Sequence, residues 1–336
     1  MKRTERNTYQ LQLLATLLLL ITAFVLSACS SDDSDTPSSP NSTDSEIRLN
    51  TEVWQVMEGT RATTYDNSNF NSFICVAYNH ETATSPYIDH VQVNKVSSTW
   101  TFDGGSRYWP ASGTLDFFAY APTGNIPSYI TTGPTYSYSS GQQMTFTCTL
   151  PTTGATQGGD VKEFVYAFAA NQDKTSNSGN GVNLTFSHPF ARIYFKRGTV
   201  NKNGTPVESS VVQISQVTLK SIYKTGTYNS SSQWGSLENF TNFSLTGANV
   251  PTEGNGPYLV VPQTFNSSNN FVVQLKYKDG WGITETKEFE TTVNTEWEPG
   301  YSYTYTISAS ITVSGGGGGG GSDGITVDVN KFTEQW

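Results

Sequence analysis

The sequence predicts an all-β protein made of two tandem antiparallel β-sandwich domains. Its composition favours strands, because tyrosine, phenylalanine, threonine and valine are abundant and 13% of the 336 residues are aromatic. Short apolar runs separated by glycine, proline and aspartate turn signals follow one another along most of the chain, whereas no segment shows convincing helical periodicity. The length is sufficient for two cores of ordinary size, so two domains are expected.

The first 28 residues resemble a bacterial lipoprotein signal peptide. A short basic segment precedes an apolar run over residues 11–26, and the run ends in the sequence Leu-Ser-Ala-Cys at Cys29. A transmembrane helix is the alternative, but the run is short for a span and the four-residue box is specific. We therefore expect cleavage before Cys29 and acylation of its sulfur, which would anchor the chain to a membrane.

The next two segments are an acylated linker, residues 29–46, and the first domain, residues 47–181. The linker is rich in Ser, Asp, Pro, Thr and Asn, with no apolar residue between Ser30 and Ser45, so it has nothing to bury.

The first domain begins with a strand over residues 47–57, in which Ile47, Leu49 and Val53 alternate with polar residues. A polar segment that contains Arg61 follows this strand.

Further strands are predicted wherever a short apolar run lies between turn signals. In the first domain these runs are residues 73–78, 91–96, 114–120, 144–150 and 161–169. Residues 171–181 contain no apolar side chain and are interpreted as the boundary between the domains. In the second domain, residues 182–314, the runs are 182–186, 191–197, 211–222, 258–261, 271–277, 285–293 and 301–313.

Residues 315–336 are predicted to be a glycine tether followed by a strand. The seven consecutive glycines at 315–321 cannot pack and leave the tail separable from the domain before it. Ile325, Val327 and Val329 alternate with polar residues, so one face of the tail is apolar. A lone strand must add to a sheet, and the residues leave open whether that sheet belongs to its own domain or to a neighbouring molecule.

The apolar residues at the end of the tail lie on the opposite face from those at its start. Phe332 and Trp336 differ in parity from Val329. We expect a bulge or turn near residues 330–331 to bring them onto the same face.

Charge and missing motifs exclude several classes of function. The formal net charge is −9, which disfavours nucleic-acid binding. His80, His90 and His188 stand far apart without a metal-ligand pattern, and no nucleophile elbow or phosphate-binding loop occurs. We therefore expect no enzyme, no metal and no cofactor, with a hydrolase built from scattered acidic residues as the weakest alternative. His188, between aromatic residues, is interpreted as a core or turn histidine.

Two further sets of residues each allow two interpretations. Cys75 and Cys148 lie within apolar strands, and we favour buried thiols over a disulfide between them. Tyr301, Tyr303 and Tyr305 share one face of a predicted strand. Packing against a neighbouring strand is favoured for these tyrosines, with stacking on sugars as the alternative.

Five segments, in this order, resemble the fimbrillins of Gram-negative anaerobes. They are RYWPASGTLDFFAYAP (107–122), VNLTFSHPFARIYF (182–195), VTLKSIYKTGTYN (217–229), LVVPQTF (259–265) and WEPGYSYTY (297–305). The resemblance implies a lipoprotein precursor with two transthyretin-like sandwiches that polymerises into type V pili. In that family an arginine-directed protease removes the first strand, and the C-terminal strand of another subunit fills the groove.

The resemblance implies roles for particular residues of this chain. Cys29 would carry the lipid, and the protease would cut between Arg61 and Ala62. The donor strand would consist of Ile325, Val327, Val329, Phe332 and Trp336. The implied partners are other fimbrial subunits, the outer membrane before processing, the maturation protease and a receptor on a host or bacterial surface. The location would change from outer membrane lipoprotein precursor to surface fimbrium. The alternative function is a monomeric surface lipoprotein that binds glycans.

Overall fold

Strands are the regular elements of the computed structural model, which describes residues 46–53, 68–81, 85–137, 143–153, 162–246, 250–266, 270–313 and 324–335. These residues contain twenty strands and no helix, so the predicted all-β class is confirmed. The strands are β1 (Leu49–Val53), β2 (Ser72–Asn79), β3 (Pro86–Val96), β4 (Thr99–Phe102), β5 (Leu115–Ala121), β6 (Ile130–Ser137), β7 (Gln143–Thr149), β8 (Val165–Gln172), β9 (Val182–Phe186), β10 (Ala191–Lys202), β11 (Thr205–Pro206), β12 (Val212–Asn229), β13 (Gln233–Thr246), β14 (Asn255–Val260), β15 (Thr264–Phe265), β16 (Phe271–Lys278), β17 (Thr284–Thr291), β18 (Thr295–Glu296), β19 (Tyr301–Thr312) and β20 (Gly324–Gln335).

The first core lies between a five-stranded antiparallel sheet and a two-stranded parallel one. The larger sheet has the order β4-β3-β2-β5-β8, and the smaller consists of β1 and β9. Alternate side chains of the larger sheet, such as Phe73 and Phe117, pack against Leu49 and Leu184 of the smaller. The alternation of apolar and polar residues in the sequence therefore places the apolar side chains on one buried face of each sheet.

Strand β5 is buried at every position because both of its faces are covered. Phe117 points into the first core, whereas Phe118 and Tyr120 belong to a second apolar cluster that also contains Met144 and Phe146 of β7. This explains why the sequence Leu-Asp-Phe-Phe-Ala-Tyr-Ala is nearly continuous in apolar residues rather than alternating.

The third apolar cluster is the core of the C-terminal half. It lies between the sheet β11-β10-β19-β20, to which β14 adds at β10, and the strands β17, β16, β12 and β13. Trp297, Tyr277, Tyr303 and Tyr305 are its largest fully buried side chains. Burial of each gives on the order of 2–3 kcal/mol before the cost of ordering is subtracted.

Strand β12 joins the two halves into one sheet. Its first part, residues 212–219, pairs with β16, and its last part, residues 225–229, pairs with β7. The sequence predicted this strand only to residue 222, and it placed the domain boundary before residue 182. The structure instead assigns Val182, Leu184 and Phe186 of β9 to the first core. The polar segment before β9 is a surface turn in which Asp173 accepts a hydrogen bond from the Ser176 amide, so the chain returns to the same core.

Candidate functional site

The first described strand has the burial pattern that its sequence predicts. Ile47, Leu49 and Val53 are at most 4% exposed and belong to the first core. The intervening Arg48, Asn50 and Glu52 are exposed. The apolar face of β1 is therefore fully enclosed, as expected for a strand that completes a core.

Backbone hydrogen bonds hold β1 along one edge. It runs parallel to β9 in the register Leu49↔Val182 to Val53↔Phe186, and the Val182 amide donates to the Arg48 carbonyl oxygen at 2.8 Å. Within the described ranges, β9 is the one strand paired with β1. The close approach depends on Gly181, because a Cβ there would lie 2.8 Å from the Arg48 oxygen.

A cleft opens beside β1. It has a volume of about 290 Å³ and is lined by Asn50 and Thr51 of β1 together with Phe70, Lys95, Ser98 and Trp100. Strand β1 thus combines an enclosed apolar face with a single backbone ladder. Its removal would uncover the apolar side chains of β9 and of the sheet beneath it.

The tail forms strand β20 and pairs with its own domain. It is antiparallel to β19 over its whole length, from Tyr301↔Gln335 to Thr312↔Gly324. The sequence left open whether the tail joins a sheet of its own domain or of a neighbouring molecule, and in the structure it joins its own domain. The expected bulge near residues 330–331 is wrong, because the ladder continues there without a register shift. Phe332 consequently stays on the outer face and is 61% exposed.

The inner face of β20 is only partly covered and becomes polar halfway along. Ile325, Val327 and Val329 pack against the C-terminal core but remain half-buried. The next inward position holds Lys331, whose Nζ donates to Thr295 Oγ1 at 2.9 Å and lies 5.8 Å from the centre of the Tyr303 ring. The apolar contact of the tail with its own domain therefore ends at Val329.

The last part of the tail lies near a buried cation. Glu334 pairs in the β-ladder with Ser302, whose Oγ accepts a hydrogen bond from Arg192 Nε at 2.5 Å. Burial lowers the pKa of the Arg192 guanidinium, while Tyr194 and then the carboxylates of Glu163 and Glu334 act in the opposite direction. Glu334 thus contributes negative charge beside a buried cation, a role that the sequence alone did not indicate.

Several predicted site residues lie outside the described residues. They are Cys29, Arg61, Ala62, Trp336 and the glycine run 315–321. The structure brings together Ile325, Val327 and Val329 on one face and leaves Phe332 on the other.

The tyrosines considered for sugar stacking are mostly in the core. Tyr303 and Tyr305 are at most 1% exposed, and Tyr301 is half-buried. The Tyr305 hydroxyl accepts a hydrogen bond from Trp297 Nε1 at 2.8 Å, and the Tyr303 hydroxyl accepts one from the Glu298 amide at 2.8 Å. Tyr303 and Tyr305 therefore pack inside the core, as the favoured interpretation predicted.

The histidines and cysteines of the described chain form no reactive cluster. His188 is buried with its Nδ1 2.7 Å from Glu163 Oε1, and Cys75 and Cys148 are separate buried thiols. No group of three His, Cys, Asp or Glu side chains that could hold a metal ion occurs in the described ranges. The described part of the chain also has no helix that is long and apolar enough to cross a membrane.

Comparison with known proteins identifies a family and a set of similar folds. A family profile described as fimbrillin-like matches residues 60–318. A search of curated proteins finds no match. Among solved structures, the chain is similar to a fimbrial protein from Bacteroides vulgatus, with 16% identity and a TM-score of 0.55 over 87% of this chain and 99% of that one.

Two candidate cell adhesion proteins have similar folds. The one from Bacteroides uniformis is 16% identical with a TM-score of 0.51, and the alignment covers 88% of this chain and 99% of that one. The one from Bacteroides ovatus is 15% identical with a TM-score of 0.51, and the alignment covers 87% and 97%. At these identities the similarity concerns the fold.

Proposed function

The chain belongs to the fimbrillin-like family, and from this premise we propose that it is a non-enzymatic structural subunit of a surface fimbrium that supports adhesion. Subunits assemble by strand exchange: proteolysis removes β1 from one subunit, and β20 of another takes its place. The partners are other fimbrial subunits, the maturation protease and a surface receptor.

One observation carries this proposal, namely the difference in burial between the first and last strands. Ile47, Leu49 and Val53 are at most 4% exposed, whereas the tail residues Ile325 and Val327 are half-buried on their own domain. Both strands alternate apolar and polar residues, although Thr51 interrupts the apolar face of the first and Lys331 ends that of the last. An apolar tail that is half covered gains free energy by moving into a groove that covers it completely.

This gain supplies only part of what a stable joint needs, because about 4 kcal/mol corresponds to a Kd of about 1 mM. Complete burial of an aliphatic side chain is worth about 1.5–3 kcal/mol, so taking three of them from half to full burial gives about 2–4 kcal/mol. The described ladder of β1 spans five residues, and that of β20 spans twelve. A stable exchange therefore requires the donor to pair beyond the position that Val53 occupies.

Processing after Arg61 is preferred to processing after Arg48 because only the later cut vacates the groove. Strand β1 begins at Leu49 and ends at Val53, so a cut after Arg48 would leave it in place. A cut before Ala62 releases β1 together with the lipid on Cys29. The subunit thus changes from an outer membrane lipoprotein to a component of the fimbrium.

The closed tail favours a second candidate function. Because β20 completes a sheet of its own domain, the chain can also act as a self-contained monomer, a surface lipoprotein that binds glycans. The two candidates differ in whether cleaved protein associates.

Assembly can be tested with a single charge on the tail. The folded unit Thr43–Trp336 is cut by an arginine-specific protease until N-terminal sequencing starts at Ala62, and oligomers are measured by size exclusion. Val327→Asp should abolish them, because an unpartnered charge in an apolar groove costs about 3 kcal/mol, roughly a hundredfold in affinity.

The matched control is Thr326→Asp, which adds the same charge on the exposed outer face of the same strand. It should assemble as the parent does. Assembly of Val327→Asp at the parental level, or a parent that stays monomeric after the cut, would reject strand exchange and leave the monomeric candidate.

A further inference from the structure

A polar cleft lies beside the β16–β17 hairpin, and it is lined by the last residues of β16 and the first residue of β17. Its volume is about 450 Å³, within the range of about 300–1,000 Å³ that is typical of small-molecule sites. The polar lining consists of Ser209, Ser210, Gln213, Lys276, Lys278 and Thr284. No residue of β1 or β20 lines it, so the proposed assembly leaves it without a role.

Two lysines are the charged residues that line the cleft. Lys276 and Lys278 are exposed and lie two positions apart on β16, so their side chains leave the same face of the strand, about 7 Å apart. In the described ranges neither ammonium has a carboxylate within 4.0 Å. Lys202 adds a third ammonium nearby, because its Nζ donates to the Lys278 carbonyl oxygen at 2.6 Å.

Two of the carboxylates next to the cleft in sequence have other contacts, whereas Glu208, which precedes the lining residue Ser209, is exposed. Glu285 pairs with Lys287 at 3.7 Å. The Asp279 carboxylate accepts hydrogen bonds from the backbone amides of Trp281 and Ile283, each at 2.8 Å. Neither Glu285 nor Asp279 therefore forms a close ion pair with the two lysines of the cleft, and the whole chain has a net charge of −9.

The hairpin tip beside the cleft presents an aromatic ring to solvent. Trp281 is 72% exposed and Ile283 is 59% exposed. Both lie in the turn that connects the lining residues Lys278 and Thr284. The Asp279 hydrogen bonds fix the backbone of this turn, so the ring is displayed on an ordered support. An exposed tryptophan beside polar groups is suited to stacking on a ligand that has one apolar and one polar side.

We propose that this cleft binds an acidic oligosaccharide. Carboxylate or sulfate groups of the sugar pair with Lys276 and Lys278, its hydroxyls bond with the serine, threonine and glutamine side chains, and a ring stacks on Trp281. A nucleic acid is a poorer fit because a long polyanion extends beyond the cleft and is repelled by a chain whose net charge is −9. The proposal adds a ligand class to the adhesive part of the proposed function. Its biological role rests on that function, whereas binding of the sugar does not require assembly.

The test measures binding to the uncut unit Thr43–Trp336, which does not need to assemble. The probes for calorimetry are a heparin-derived hexasaccharide, a galacturonate hexamer, 3′-sialyllactose, neutral lactose and inorganic sulfate. At least one acidic oligosaccharide should bind measurably more tightly than lactose and sulfate. Lys276→Gln with Lys278→Gln, and separately Trp281→Ala, should each weaken that binding about tenfold or more.

The matched control is Lys287→Gln, which removes a lysine of the same hairpin that is already paired with Glu285. It should bind as the parent does. All substituted side chains are exposed, so unchanged melting temperatures are expected and serve as the check on folding. The proposal is overturned if no acidic probe binds, if sulfate binds as tightly as the oligosaccharides, or if Lys287→Gln weakens binding as much as the cleft variants do. Loss of assembly in the Val327→Asp experiment has no bearing on this outcome.

Discussion

Cys75 and Cys148 show how strongly burial affects the reactivity of a side chain. Both are fully enclosed, Cys75 in the first core and Cys148 in the cluster around β7. Burial raises the pKa of Cys75 far above its usual range and that of Cys148 from 9.0 to about 12, the latter opposed in part by a hydrogen bond from the backbone of Gly226. Because the thiolate is the reactive form, both sulfurs should be inert at neutral pH.

We expect the folded unit Thr43–Trp336 to show no thiol that reacts rapidly with DTNB at about pH 8, and two that react once the protein is unfolded. Exclusion of reagent and the low thiolate fraction both contribute, so the native reaction should be slower by at least about a hundredfold. Fewer than two reactive thiols in denaturant would indicate the disulfide that the sequence left as an alternative.

At the scale of single elements, alternation in the sequence predicted strands well and their partners poorly. Ile47, Leu49 and Val53 identified both the strand and its buried face. The parallel partner β9 was assigned to the second domain, because the polar stretch before it has the composition of a linker. Pairing joins segments that are more than 130 residues apart in sequence, as in Leu49↔Val182, and no local pattern contains that information.

Gly181 offers a test of how tightly β1 is held against β9. Its φ is +78°, and a Cβ would lie 2.8 Å from the Arg48 oxygen. Gly179 has a φ of +89° with no atom within 4 Å of a Cβ, so it is a matched control. Gly179→Ala should cost about 1 kcal/mol of unfolding free energy from the backbone alone, and Gly181→Ala about 1–2 kcal/mol more from the clash.

Urea unfolding before and after cleavage at Arg61 measures this difference. The extra cost of Gly181→Ala should disappear once β1 has left, since the clashing carbonyl belongs to the removed segment. Equal costs for the two variants in the uncut protein would mean that β1 does not pack against residue 181 in solution.

For the molecule as a whole, composition and turn spacing were enough to predict the all-β class but not the continuity of the two halves. The strand β12 runs through Gly226 to Asn229 and pairs there with β7, whereas the sequence predicted an end at Ile222. Its last part, Tyr-Lys-Thr-Gly-Thr-Tyr-Asn, contains a glycine and no aliphatic residue, so its strand character depends on its neighbours. Trp234 packs above Gly226, where a Cβ would lie 2.9 Å from the indole.

Deletion of residues 325–336 measures how much the closed tail contributes to the fold. The glycine run predicted that the tail would be separable, but its half-buried residues and complete ladder with β19 give it a share in stability. We expect a folded protein whose unfolding free energy is lower by about 2–4 kcal/mol. Phe332→Ser, on the exposed face of the same strand, should change it by less than about 0.5 kcal/mol. An unchanged stability after the deletion would show that the tail does not rest on β19 in solution.

The closed tail also changes which strand forms the outer edge of its sheet. Strand β19, with the sequence YSYTYTISASIT, has no charged residue and would present twelve residues of open backbone to any other chain. Strand β20 covers that edge and carries Asp328, Lys331 and Glu334 along its length. Charged edges resist edge-to-edge aggregation. A chain with its tail closed is thereby protected from edge-to-edge association with other copies of itself.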